Sequence, residues 1–299
     1  IDAALFWPGR GEIPASELEL GGYERTQVWQ EIVEALLREY VERYYDFMRS
    51  AWEKNYREYR DLDESDPNFL VRDAPEESGY RIRLDESQRD IEQKLLELKA
   101  AIIAGQLKPV EMRELRLLWF ARHLYQPLIY LENSKIEISP AALNPGERRF
   151  VEDLARFHEQ EKQYFVGKEL YLLRNQTRGR GLGFFEAGNF HPDFIVWLLV
   201  GGVQHVAFVD PKGLHNVGVN DAKVRFHETI KELEAQLGDR AMHLHSFLIS
   251  RTPSHELQLH WSLDKNQMVA RHVLFQDEDK DTYVRAMLDA IQSDVVPAR

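Results

Sequence analysis

The chain has 299 residues, 43% hydrophobic and 29% charged, with 50 acidic against 38 basic side chains and a formal net charge of -12. That length suits one large domain or two ordinary ones, and the composition excludes collagen-like, low-complexity and fully disordered chains. The absence of cysteine excludes disulfide scaffolds, Cys-ligated zinc, iron–sulfur clusters and thiol catalysis.

The first half reads as helices. From Glu24 to about Tyr59, Val28, Ile32, Leu36, Tyr40, Tyr44, Phe47 and Ala51 recur at helical spacing, and Glu34/Arg38 and Glu39/Arg43 are pairs four apart. Asp61 to Gly79 carries Pro67, Pro75 and many acidic residues among turn formers, which predicts a loop. A second helix is expected from about Glu86 to Ala104. A third starts after Pro109 and reaches about Tyr125, with Leu115, Leu118, Trp119 and Arg122 as its stripe.

The period changes after Pro140. Asn144-Pro145-Gly146-Glu147 combines a capping residue, a first-turn proline and an acidic first turn, so a helix opens there and runs through Phe157. Strand-like runs follow at Tyr164–Arg174, Phe190–Val200 and His205–Asp210. The last two are nearly continuous in apolar residues, which predicts strands buried on both faces. A glycine-rich loop, Thr177 to Gly183, lies between the first two. A helix at about Asp221–Leu237, a strand at His243–Ser250, short strands at Leu257–Leu263 and His272–Phe275, and a last helix at Lys280–Gln292 complete the chain. The longest apolar run, Phe194 to Val203, falls short of the roughly 20 residues that span a bilayer. No secretory signal opens the chain, so a cytoplasmic setting without a membrane is expected. With Ile1 in place of Met, the chain reads as a processed or excised piece.

Charge is unevenly placed. Residues 1–140 hold 28 acidic and 19 basic side chains, and residues 141–299 hold 22 and 19. Proteins that grip nucleic acid over a wide surface are basic there. This chain as a whole is not, although eight basic residues against five acidic ones between Arg148 and Arg180 leave room for a narrow basic strip.

Two segments carry chemistry. His191-Pro192-Asp193-Phe194 opens one buried strand, and Val209-Asp210-Pro211-Lys212-Gly213 closes the next. A carboxylate at the mouth of an apolar strand is costly unless paired, and two on adjacent strands repel unless a cation sits between them. Oxygen ligands without cysteine suit a hard ion such as Mg²⁺, with Mn²⁺ as a substitute. Lys212, two residues after Asp210, projects to the same face of an extended strand, where its ammonium can orient a water or offset charge on phosphorus.

Pro192-Asp193, a gap of sixteen residues, then Asp210-Pro211-Lys212 resembles the signature of the PD-(D/E)XK nuclease superfamily. The surrounding run, FHPDFIVWLLVGGVQHVAFVDPKGL, is similar to the C-terminal nuclease domain of type III restriction enzymes and related superfamily 2 helicase–nuclease proteins. The resemblance covers about residues 145–255. It implies a restriction-endonuclease-like α/β core of helix, three strands, helix and strand, with residues 141–299 as the nuclease domain and 1–140 as an α-helical connector. It further implies Asp193 and Asp210 as metal ligands, Lys212 as the catalytic lysine, and a helix-borne glutamate. Glu152 is favoured for that place, and Glu186 competes. The implied activity is Mg²⁺-dependent hydrolysis of DNA in restriction or antiviral defence. ATP would enter only through a helicase partner, because no GxxxxGK[ST] phosphate loop is present.

Bland readings stand beside these. Lone strand-end aspartates cap turns, Glu152 alone is an exposed helix residue, and Lys212 alone is a solvated lysine. Arg174, Arg178 and Arg180 could contact phosphates or simply furnish a solvated loop. The histidines show no zinc-ligand spacing; His191 and His205 flank the proposed site in sequence. Two further hypotheses remain: a nuclease-like scaffold that binds DNA or a helicase without cutting, and an RNA-cutting relative.

Overall fold

A computed structural model describes residues 5–7, 11–13, 21–23, 26–30, 33–34, 37, 40–41, 44, 48, 81–84, 89–103, 110–112, 115–118, 128–131, 137–139, 141–175, 183–184, 190–280 and 282–293. The chain divides into two compact units, Ile1–Arg60 and Asp61–Arg299. The first holds a hairpin of β1 (Leu5–Trp7) and β2 (Gly11–Ile13). Its described residues between 26 and 48 are helical, as the apolar spacing predicts. Trp29, Leu37, Tyr40 and Tyr44 are exposed there. The predicted loop at 61–79 lies outside the described residues.

The second unit begins with short elements: β3 (Arg81–Arg83), α1 (Arg89–Ile103), β4 (Val110–Met112), β5 (Leu115–Leu118), β6 (Leu128–Leu131) and β7 (Glu137–Ser139). Strands β4, β5 and β6 form one antiparallel sheet and β3 pairs with β7. Two expectations are corrected here. Helices do not alone make up residues 1–140, and the third predicted helix, Pro109 to Tyr125, contains β4 and β5. The spacing of Leu115 and Leu118 fits a helix. However, Leu115 and Leu117 also share one face of a strand, and cross-strand pairing with β4 and β6 decides between the periods.

The rest of this unit is a layered α/β structure. In order come α2 (Pro145–Gln160), a single 3₁₀ turn (Lys162–Phe165), β8 (Lys168–Arg174), β9 (Phe194–Val200), β10 (Val203–Lys212), α3 (Ala222–Leu237), β11 (Met242–Ser250), α4 (Ser254–Trp261), α5 (Lys265–Ala270), β12 (Val273–Phe275) and α6 (Tyr283–Ser293). The sheet order is β12-β11-β10-β9-β8. Strand β9 pairs antiparallel with both β8 and β10, and α3 then carries the chain to β11, which is parallel to β10. Gly201 and Gly202, at φ +57° and +86°, form the tight turn between β9 and β10. Two consecutive left-handed residues give a turn whose twist matches the flanking strands, and glycine occupies both without a Cβ penalty.

Both faces of the sheet are covered, which explains the unbroken apolar runs. Phe194, Val196, Leu198, Ala207 and Val209 face Phe150 and Leu154 of α2 and Met287 and Leu288 of α6. Ile195, Val206, Phe208 and Leu248 face Val224 and Phe226 of α3. The start of α2 follows its local code: Asn144 accepts from the N–H groups of Gly146 and Glu147, and Glu147 reaches back to the Asn144 N–H in a capping box. The predicted strand Leu257–Leu263 is corrected to the helix α4. Leu257 and Trp261, four apart, bury one helical face against the α3 side of the sheet, and the Trp261 indole N–H donates to Val217 O at 2.8 Å. Among the described residues, no helix is long and apolar enough to cross a membrane.

One buried polar link ties α2 to α6. The Tyr283 hydroxyl donates to Asp153 Oδ2 at 2.9 Å, and Arg156 pairs with Asp153 Oδ1 at 2.9 Å. Tyr283→Phe leaves a buried carboxylate short of a donor, which costs roughly 1–3 kcal/mol. Urea unfolding should show that loss, and an unchanged midpoint would show the link to be dispensable.

Candidate active site

The residues singled out by sequence converge at one end of the sheet. Strand β8 ends there at Arg174, β9 begins there at Phe194, and β10 ends there at Lys212. Phe194 lies opposite Val209 in the β9–β10 register, so the next residues outward are Asp193 and Asp210. Alternation places both aspartates and Lys212 on the face of Ile195 and Phe208, the face covered by α3. Asp193 and Asp210 share a side-chain hydrogen bond, and the Lys212 ammonium touches Asp210 Oδ2. Asp210 is 3% exposed, whereas Lys212 is open enough to meet a ligand.

The surrounding backbone holds this geometry. The Asn175 N–H donates to Asp193 O and its side-chain amide donates to Pro192 O, each at 2.8 Å. These bonds clamp the Pro192-Asp193 step to the end of β8. Pro211, which has no N–H, falls where β9 pairing has already stopped at Val209. Beyond Lys212, its carbonyl accepts from Arg251 N at 3.0 Å, and Leu214 N donates to Thr252 Oγ1 at 2.8 Å. His191 lies beside Gly183, where an added Cβ would clash with the imidazole ring.

Electrostatics set this cluster apart. Burial first, then the negative charge and hydrogen bond of Asp210, push the Asp193 carboxyl well above the usual aspartate range. Glu147 and Lys212 also act on it, the first raising and the second lowering. Glu147 comes from the first turn of α2, on the opposite layer. Burial raises it, Arg174 opposes the rise, and Asp210 adds to it. Its Oε2 accepts from Arg174 Nη2 at 3.3 Å, with the side chains only 10% and 14% exposed.

Asp193, Asp210 and Lys212 are therefore brought together, with Arg174 nearby. Glu152 is directed elsewhere, pairing with Arg148 at 3.8 Å. The glutamate of α2 that acts on the aspartates is Glu147, which sequence reasoning treated only as a helix-start signal. Its position at the helix mouth, close to the strand ends, could have found it. Glu186, Arg178 and Arg180 lie outside the described residues. His205 lies near the start of β10, at the end remote from Asp210, and stacks with His243 at 5.3 Å between ring centroids.

The described residues contain no group of three or more His, Cys, Asp or Glu disposed to hold a metal ion. The aspartates form a pair. That pair still fits a Mg²⁺-type ion, because such an ion leans on one or two carboxylates and takes its remaining ligands from water and phosphate. Two buried carboxylates held within hydrogen-bond reach also favour positive charge between them. Comparison with known proteins adds nothing to the geometry: no family model, curated protein or solved structure matches the chain.

A pH prediction follows from the raised Asp193. The folded state holds a proton that the unfolded chain releases near the ordinary aspartate value of 3.8. Its stabilising contribution is complete below that value and is lost as pH rises toward the folded-state value. Asp193→Asn removes this slope. In metal-free buffer the variant should match wild type at pH 4 and melt higher at pH 8, by about 2–4 °C for each 1 kcal/mol gained. Parallel stability curves from pH 4 to 8 would refute the crowding of the pair.

Proposed function

We propose that residues 141–299 form a Mg²⁺-dependent endonuclease domain that hydrolyses DNA phosphodiester bonds, built on a restriction-endonuclease-like core. The supporting observation is the convergence of Asp193, Asp210 and Lys212 at the buried ends of adjacent strands. The order of α2, an antiparallel run β8–β10, α3 and the parallel β11 agrees with the PD-(D/E)XK resemblance. In this reading Asp193 and Asp210 hold the ion, and Glu147 takes the place expected of Glu152. A divalent cation held by these carboxylates would supply charge neutralisation at the scissile phosphate and at the leaving 3′ oxygen.

The remaining chemistry belongs to the chain. Lys212 donates hydrogen bonds from an ammonium anchored by Asp210, which orients a water for in-line approach to phosphorus. The same charge offsets the negative charge that grows on the phosphate in the transition state. Asp210 serves twice, as ligand and as the anchor of Lys212. Asp193 is tied at its backbone carbonyl to Asn175, which fixes the main chain from which its carboxylate projects. The setting we propose is a cytoplasmic restriction or antiviral system in which a helicase partner supplies the ATP-driven motor.

A scaffold that binds DNA or a helicase without cutting is favoured by one observation, the net charge of -12. A plasmid-nicking assay with Mg²⁺ or Mn²⁺, run on the chain with its helicase partner, separates the readings. Lys212→Ala should slow cleavage by roughly 100-fold or more, and Asp210→Ala should reduce it to the level seen in EDTA. Cleavage equal to wild type in both variants would remove these residues from the reaction. No cleavage by the wild-type assembly would favour the scaffold.

A further inference from the structure

The Glu147–Arg174 pair is an unusual feature to find beside two aspartates. A buried ion pair is maintained only when both charges are satisfied, and removing one partner strands the other. Glu147 has a second hold, since the Asn144 N–H donates to its Oε2 at 3.3 Å. Arg174 occupies the last position of β8, one residue before the Asn175 N–H that binds Asp193 O. The guanidinium therefore sits on the strand next to the aspartates and is already committed to a carboxylate that acts on both of them.

Counting charge shows what the pair can do. Glu147, Asp193 and Asp210 supply three negative charges when ionised, and Arg174 and Lys212 supply two positive ones, a net of -1. A divalent cation takes that total to +1, and one phosphodiester returns it to zero. Cation and substrate thus complete each other's balance, provided that the carboxylate and guanidinium can separate. Arginine is suited to the second role, because its planar fork binds phosphate oxygens in pairs.

Resting on the nuclease reading above, we propose that Arg174 is a positioning residue which holds Glu147 until the cation arrives, and that Glu147 then turns to the cation while Arg174 turns to the substrate phosphate. The exchange makes cation and DNA binding cooperative. It also keeps Glu147 paired in the metal-free protein. Arg174 is thereby distinguished from a general surface contact such as would be expected of a solvated loop arginine.

The test is a double-mutant cycle on Mn²⁺ binding without DNA, followed by the electron paramagnetic resonance of the free ion. Arg174→Met removes the competitor for Glu147 and should tighten Mn²⁺ binding by about 10-fold, the equivalent of one ordinary charge–charge coupling. Glu147→Gln should weaken binding by a similar factor, and adding Arg174→Met to it should change nothing beyond about twofold. If the guanidinium acted only through space, its removal would tighten binding in both backgrounds, which would overturn the exchange. So would equal affinity of wild type and Arg174→Met. Arg174→Lys, which keeps a cation and a paired Glu147, should fall between the two and carries the same cycle if the methionine variant does not fold. In Ca²⁺, DNA affinity should rise more for wild type than for Arg174→Met, and an equal rise in both would also overturn the exchange. Failure of the wild type to bind Mn²⁺ at all would instead remove the nuclease reading and the exchange with it.

Discussion

Two carboxylates held within hydrogen-bond reach at the rim of a buried sheet are the constraint around which this structure is arranged. Desolvation and mutual repulsion both oppose the pair, so it persists only because the scaffold over-determines its position. The Gly201-Gly202 turn sets the β9–β10 register, and the register sets Asp193 against Asp210. A slip of one residue would move one aspartate to the opposite face and separate the two. The Asn175 clamp and the Lys212 contact then supply donors where the strands have stopped pairing.

The layers contribute unequally to the cluster. The aspartates and Lys212 belong to the face covered by α3, whereas Glu147 arrives from α2 on the other side and reaches the site past the strand ends. That geometry is available only at the rim, where no further strand residues intervene. It gives the cluster a positive partner in each layer, Lys212 for the aspartates and Arg174 for Glu147. The proposed chemistry depends on this balance more than on any single side chain. Cation, phosphate and the two fixed positive charges must together match three carboxylates.

Local rules read the second half of the chain well. The Asn144 cap, the proline after it and the doubly buried strands were each visible, because short-range capping and two-sided burial leave direct marks on residue order. Local rules failed where a short apolar segment fits two periods. Leu115 and Leu118 suit a helix or a strand, and β4 and β6 settle the matter. Leu257 to Leu263 alternates like a strand yet packs as a helix, because Leu257 and Trp261 are both drawn to the same apolar cluster.

The amino-acid sequence alone determined that Asp193, Asp210 and Lys212 belong together, since residues flanking two buried strands joined by a tight turn must meet at one end. It favoured Glu152, with Glu186 competing, and marked Glu147 only as a helix-start signal. Glu147 and Glu152 lie on one helix, five positions apart, and only the direction in which α2 crosses the sheet decides which carboxylate reaches the strand ends and which turns to Arg148. That direction is set by packing of Phe150, Val151 and Leu154 against β9 and β10, an interaction between residues distant in sequence. Arg174 depended on the same event: its partner exists only once the helix has docked.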